Sequence, residues 1–499
     1  WSPASMIPAP EIRVRDLGDR PERTGRYVLY WMVASRRPRW SFALQQAAER
    51  ADALGQPLVI LEALRVGYPW ASDRLHRFIL DGMRAHEAYF RGKNVVYLPY
   101  LEPERGAGRG LLKALADDAS LVVSDDYPCF FIPRMQEAAA RKISAPLELV
   151  DGNGLLPMRA ASKSFSRAFD FRRFLQKSLP AHLETLPLED PLEGLAPLPR
   201  GFRETVLGDI RARWPAPSAE DLAGETLGSL PIDHSVPTAD LEGGFVAGEQ
   251  RVFDFLDSAF HRYAEDRNHP DEDAASGLSP WLHFGHVSAH QIFSEISQNE
   301  GWSIDRLAEK ANGAREGWWG MGENAESFLD ELVTWRELGF NRCAHDPAYD
   351  RYESLPAWAR QSLVLHEHDP REHLYSLEEL ESASTHDTVW NAAQTELVET
   401  GRLQNYLRML WGKRILEWTP TAREALAIMI ELNNKYALDG RDPNSYSGIF
   451  WVLGRYDRAW GPERPIFGKV RYMSSANTLR KLRMRDYMAR FSRQAELFD

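Results

Sequence analysis

The 499-residue sequence predicts two architectures in series: an N-terminal α/β, Rossmann-like domain on a parallel sheet, and a C-terminal all-α domain. Three observations carry this. Between Tyr27 and Pro157, five short apolar runs alternate with amphipathic segments. Between Ser178 and about residue 240, nine prolines interrupt every long element. From Glu249 onward strand signals nearly vanish and helical periodicity takes over. The expected boundaries are an arm over 1–24, the α/β domain over 25–177, a long linker over 178–240 and the helical domain over 241–499.

The arm, WSPASMIPAPEIRVRDLGDRPERTG, is Pro-rich and charged. It has no apolar signal core and reads as disordered; its lack of an initiator Met fits a trimmed chain. The strand-like runs are YVLYWM, PLVILEA, NVVYLPY, SLVVSD and PLELVDG, with helical patterns over 40–54, 72–91, 108–116 and 133–143 between them. Short apolar strands separated by helices imply a parallel sheet covered on both faces. Such a sheet binds ligands at the carboxyl ends of its strands. The first strand runs into MVASRRPRW, which is neither a glycine-rich dinucleotide fingerprint nor a Walker-type phosphate loop. Within the linker, a short helix is expected near 204–213. Beyond it, helical patterns cover 249–266, 287–298, 323–344, 376–399, 404–418, 421–436 and 475–491.

Apolar content of 43% and charged content of 26% are those of a soluble globular protein. No apolar run approaches the ~20 residues of a membrane span. Cys129 and Cys343 form no disulfide framework or metal cluster, which fits a reducing compartment, and no metal site is expected. The net charge of −12 argues against nucleic acid when taken alone. From Trp451 to Arg493, however, eleven basic residues face three acidic ones, a local charge of +8. Such a patch binds phosphates while the acidic remainder repels nonspecific contact; the plainer reading is a solvated terminal helix.

Four features of the helical domain stand out. Residues 275–286, ASGLSPWLHFGH, place small hydroxyls and a glycine before a helix, which suits a phosphate or a plain N-cap. In FLDELVTWRELGFNRC, Glu331 and Trp335 are four residues apart and share a helix face. A carboxylate beside an indole suits a flat polar ring, or it is a surface charge beside a core Trp. In LNNKYALDGRDPNSYSGIFW, Asn433, Asn434, Asp439, Asp442 and Asn444 converge on one turn, more Asx residues than a turn requires. Finally, Trp411 and Trp418 fall on one face of a helix, roughly 10 Å apart along its axis. Trp390 lies on the preceding helix, folded back at Thr400-Gly401. Three stacked indoles can pass an electron from solvent to a buried redox cofactor; aromatics at helical spacing are also ordinary core.

NNKYALDGRDPNSYSGIFW, RPIFGKVRYMS, ELVTWRELGFN and WMVASRRPRW together resemble the class II cyclobutane pyrimidine dimer DNA photolyases of the photolyase/cryptochrome family. The resemblance runs from Gly25 to Phe491 and includes the spacing Trp390–Trp411–Trp418. It implies an N-terminal antenna domain and a C-terminal helical domain holding FAD. It also implies light-driven repair: excited reduced FAD gives an electron to a pyrimidine dimer flipped out of UV-damaged double-stranded DNA, and base flipping is cheapest at a damaged pair. On this resemblance Trp411 is nearest the flavin, Trp390 is in the middle and Trp418 is the solvent-exposed donor. Asn433 faces the flavin N5 and Asp439 bonds the ring edge. Tyr263, Ser276, Leu278, Ser279, Arg336 and Asn341 line the rest of the FAD, with Gly277 where the family often has an amide. Glu331 binds the dimer edge, and Trp335, Met409 and Trp451 form the apolar pocket. Arg458 and Trp460 fill the gap in the duplex, on a loop that looks one residue short. The antenna chromophore is expected to be a deazaflavin, with a folate second. The protein is expected to be a monomer, without a membrane or obligate protein partner. It is expected in the cytoplasm with the nucleoid of a prokaryote or in the nucleus of a eukaryote. The alternative within the family is a blue-light cryptochrome or a (6-4) photolyase.

Overall fold

The computed structural model describes residues 6–21 and 23–492, which form two compact units. One comprises Trp1–Ser162, Ser178–Val252 and Pro280–Ile304; the other comprises Lys163–Lys177, Phe253–Ser279 and Asp305–Asp499.

The first unit is built on a six-stranded sheet: β1 Val14–Asp16, β2 Tyr27–Met32, β3 Leu58–Leu64, β4 Val95–Leu101, β5 Ala119–Asp125 and β6 Leu147–Val150. Their spatial order is β1-β6-β5-β2-β3-β4. The five strands legible in the sequence pair in parallel, for example Leu29 with Val59 on one side and Val122 on the other. Tyr27, Leu29 and Trp31 pack into the core on one face of the sheet, and Val28, Tyr30 and Met32 into the core on the other. Burial on both faces is why the strand reads as an unbroken apolar run. Helices Phe42–Ala53, Asp73–Phe90, Leu111–Asp118 and Ile132–Ala140 connect the strands.

Two departures from the sequence reading lie here. The arm expected to be disordered carries β1, which pairs antiparallel with β6. It is anchored by buried Arg13, whose guanidinium donates to the carbonyls of Asp151, Gly154 and Leu155 at 3.1, 3.1 and 2.7 Å. The stretch expected to be a linker packs on the first unit: Leu188 N donates to Gln45 Oε1 at 2.9 Å, and helix Phe202–Arg213 sets Val206 into the sheet core. Prolines block long helices but not a packed strap.

The turn after β2 explains the missing phosphate fingerprint. Asp125, at the end of β5, accepts hydrogen bonds from the N–H groups of Val33, Ala34 and Ser35 at 2.8, 2.7 and 3.0 Å. The backbone nest that would receive a phosphate in a dinucleotide-binding sheet is filled by the protein's own carboxylate.

The second unit is helical among its described residues. Its main elements are Glu323–Leu329, a π-helical turn Asp330–Trp335, Arg336–His345, Thr388–Thr400, Asn405–Glu417, Ala422–Tyr436 and Pro443–Val452. Three expected helices are broken. The pattern over 376–399 separates into Leu377–Glu381 and Thr388–Thr400, because Asp387 caps the second helix through Val389 N and Trp390 N. The pattern over 249–266 breaks after Ser258, and that over 475–491 breaks between Lys481 and Arg485. Gly339 lets helix Arg336–His345 lie directly on helix Pro443–Val452; a Cβ there would stand 2.8 Å from the Pro443 carbonyl.

Candidate active site

A half-open cavity of about 460 Å³ lies within the helical unit. Glu331 and Trp335, from the π-helical turn, share its wall with Arg267, Asn268, Arg408, Met409, Asn444, Ser445 and Trp451. π-Helical turns are rare and concentrate at functional sites, where the extra residue re-aims side chains. An adjoining cavity of about 440 Å³ shares Met409 and Trp451, and adds Trp460, Arg464, Arg471 and Lys481. The expected apolar residues Trp335, Met409 and Trp451 are therefore brought together, with Glu331 beside them and Trp460 next door.

Both Arg267 and Arg408, on the wall of the first cavity, are ion-paired. Arg267 Nη1 meets Glu331 Oε1 at 2.6 Å. Burial opposes the Arg267 charge, but Glu331 and Tyr263 outweigh it and hold the guanidinium above its ordinary range. Burial, reinforced by Glu331, raises the Tyr263 hydroxyl and keeps it neutral. Arg408 Nη2 bonds both oxygens of Asp439 at 3.0 and 3.1 Å. The sequence reading named Glu331 and Asp439 but neither arginine, since a helix-borne cation carries no local sign of its partner.

Asn433 is buried and donates from Nδ2 to Ser445 Oγ at 2.6 Å, so it reaches the cavity wall through Ser445. Its neighbour Asn434 accepts from Arg441 N at 2.9 Å. The buried Arg441 guanidinium then ties the carbonyls of Asn434, Ala437 and Leu438 together, at φ +67°. Asp442 caps the next helix through Asn444 N at 2.8 Å. The Asx-rich turn is thus a tie between the helix ending at Tyr436 and the one starting at Pro443.

The remaining expected cofactor residues do not line this cavity. Asn341 spends both ends of its amide on the backbone, accepting from Phe165 N at 3.1 Å and donating to Lys163 O at 3.0 Å. Arg336 is buried over the Phe340 ring, with 4.7 Å from guanidinium to centroid. Ser276 Oγ accepts from Leu278 N at 3.4 Å in the turn that leads to Ser279.

Trp390, Trp411 and Trp418 are in one place. Trp390 and Trp418 meet edge-to-face, with centroids 5.5 Å apart and planes at 74°. Trp390 Nε1 donates to the Trp411 carbonyl at 3.0 Å, and Trp411 Nε1 to Gln394 Oε1 at 2.8 Å. One expectation is corrected: Trp418 is not solvent-exposed. It is 2% exposed, under Tyr375, His386 and the Arg414 guanidinium. The indole ends its helix and looks terminal in sequence, but the preceding loop folds over it.

The basic tail is also less free than its composition implies. Arg455 is buried, Arg483 pairs with Asp266 and Glu272, and Arg471 pairs with Asp457. Arg493 lies outside the described residues. Arg464, Arg471 and Lys481 line the second cavity. Trp460 is held there between the guanidinium groups of Arg458 and Arg471, at 4.4 and 4.0 Å.

The wall suits a flavin nucleotide. It offers several cations, amides and hydroxyls, and Arg408 Nε is buried without a hydrogen-bond partner among the described residues.

No protein-family model matches the chain. It is 35% identical over 480 residues to the deoxyribodipyrimidine photo-lyase of Methanothermobacter thermautotrophicus, covering 96% of this chain and 97% of that protein. It is 34% identical to the enzyme of that name from Arabidopsis thaliana, covering 93% and 88%, and 31% identical to that from Potorous tridactylus, covering 93% and 81%. Among solved structures, a bacterial class III photolyase from Agrobacterium tumefaciens superposes with a TM-score of 0.65 over 94% of this chain and 87% of that one; at 16% identity this speaks for the fold alone. The two-unit architecture and the near full-length identity converge: the chain belongs to the deoxyribodipyrimidine photo-lyase family, with plant and marsupial relatives consistent with its class II branch.

Proposed function

We propose that the protein repairs cyclobutane pyrimidine dimers in DNA under light, as a carbon–carbon lyase of the photolyase type. The observation that carries this is the meeting of a carboxylate, Glu331, with the apolar surfaces of Trp335, Met409 and Trp451 at one cavity. A flipped dimer has an apolar cyclobutane core and a polar carbonyl and N–H edge, and it needs both kinds of surface. When bound, FAD supplies the light-driven electron. Glu331, oriented by Arg267, accepts from the dimer N–H edge. Met409 and Trp451 exclude water from the ring bonds that break. Asp439 and Asn433 orient the cofactor ring through Arg408 and Ser445 on the cavity wall, and the family resemblance assigns Tyr263, Ser276, Leu278, Ser279, Arg336 and Asn341, which lie outside this cavity's lining, to the rest of it. Trp418, Trp390 and Trp411 carry electrons inward during activation and take no part in repair. Arg458 and Trp460 occupy the space the flipped bases leave, and the basic side chains of the second cavity take the phosphates.

The α/β unit carries the antenna chromophore in this reading, a deazaflavin in preference to a folate, and the chain acts as a monomer. The deciding experiment illuminates the reduced protein with dimer-containing duplex. The dimer content falls with light dose; unchanged content refutes the function. An absorption spectrum of the purified protein identifies flavin and antenna together.

A further inference from the structure

Lys413 is completely buried, in helix Asn405–Glu417. Its Nζ donates to the Val452 carbonyl at 2.6 Å and stands 4.9 Å from the centroid of the Trp451 ring. Trp451 lines both cavities and Lys413 lines neither, so the indole separates the ammonium from the ligand space. The charged groups facing Lys413 are Asp457 and Arg471. Asp457 makes its bonds elsewhere, accepting from Arg471 Nε at 3.0 Å and Trp460 Nε1 at 3.2 Å. A buried ammonium with one carbonyl and one aromatic face as its contacts is costly to keep, and packing alone would place Met or Leu there.

We infer that Lys413 is a positioning residue for lesion recognition: it grips Trp451 from behind, through the ring face and the adjoining Val452 carbonyl, and fixes the plane on which the pyrimidine dimer is received. The inference rests on reading Trp451 as a wall of the dimer pocket. A desolvated cation over an indole is worth enough to hold that plane, and the carbonyl bond removes freedom from the chain at the wall itself. Undamaged DNA, which is held by surface phosphate contacts, does not use this plane. Burial brings the Lys413 ammonium down to about 7, so its grip weakens within an accessible pH range. Over the same range Asp457 stays ionised: burial pushes it up, but Arg471 and the Arg458 N–H hold it below its ordinary value. A guanidinium also stays charged throughout.

The test is dark equilibrium binding of the holoprotein to a duplex with one central dimer and to the same duplex undamaged. Lys413→Met should lose about tenfold of the dimer affinity and none of the affinity for undamaged DNA, and Lys413→Arg should recover most of the loss. The dimer-to-undamaged ratio of the unaltered protein should fall between pH 6 and 9.5, and that of Lys413→Met should stay flat. Wild-type dimer affinity in a folded Lys413→Met protein overturns the inference. If that variant does not fold, a flat ratio in the unaltered protein overturns it. Trp451→Ala separates the two readings: unchanged dimer affinity there refutes the wall itself, whereas a loss there with none in Lys413→Met refutes only the role of the lysine.

Discussion

The indole Nε1 of Trp411 donates a 2.8 Å hydrogen bond to Oε1 of Gln394, an amide with no solvent exposure. The acceptor is neutral and lies one turn along the helix from Trp390, whose own Nε1 donates to the Trp411 carbonyl, so both inner indole N–H groups are held by neutral acceptors. This arrangement fits a relay whose members exchange electrons and keep their protons. Trp411→Phe should therefore impair photoreduction of the flavin while dimer repair by chemically pre-reduced protein remains close to normal. Both are read by absorbance after flash illumination. Loss of repair as well would make Trp411 a packing residue. Gln394→Leu leaves the Trp411 N–H unpaired and should cost about 1–3 kcal/mol of stability.

The helix that carries Glu331 is pinned one residue earlier. Asp330 takes a bidentate pair from Arg172 at 2.7 and 2.9 Å, with both side chains largely buried. Arg172→Met leaves a buried carboxylate without its partner, which costs about 3–5 kcal/mol. The denaturant midpoint should fall markedly. The double variant Arg172→Met with Asp330→Leu should recover much of the loss. A single variant as stable as the unaltered protein would show that the pair contributes nothing.

These relationships mark the border of what the sequence makes legible. Parallel strands buried on both faces announce themselves as apolar runs, and the five runs between Tyr27 and Val150 became β2 to β6. β1 did not, because Val14–Asp16 is short and polar and owes its conformation to the edge of β6. Glu331 and Trp335 were legible as a carboxylate beside an indole on one helix face, Met409 and Trp451 came only with the family resemblance, and the four meet at the cavity. Their partners Arg267, Arg408 and Lys413 were not legible, since tertiary packing alone selects which arginine or lysine of many stands opposite. The burial of Trp418 depends on Tyr375 and on His386, which lies in a loop that local periodicity reads as helix.

Arg267 and Glu331 meet at 2.6 Å on the cavity wall, each about a quarter to a third exposed, at 26% and 30%. A pair this open to solvent contributes little to folding, so its value lies in aiming the carboxylate. Glu331→Gln should weaken binding of dimer-containing DNA by roughly tenfold or more, the scale of a lost charged hydrogen bond. Thermal stability should change little. A comparable loss for undamaged DNA would place Glu331 in general DNA binding and not in lesion recognition.

The buried lysine also sets a direction for stability against pH. In the unfolded chain Lys413 titrates near 10.5, and in the folded protein burial brings it to about 7. Between these values the unfolded state binds more protons, so this residue makes stability rise with pH. Below about 7 the full penalty of a buried ammonium is present, on the order of a few kcal/mol; above about 10.5 it is gone. Lys413→Met should therefore be more stable than the unaltered protein at pH 6, with a difference that shrinks steadily toward pH 10. Denaturation at three pH values measures it. A stability difference that does not change with pH would mean that the folded protein keeps Lys413 charged throughout.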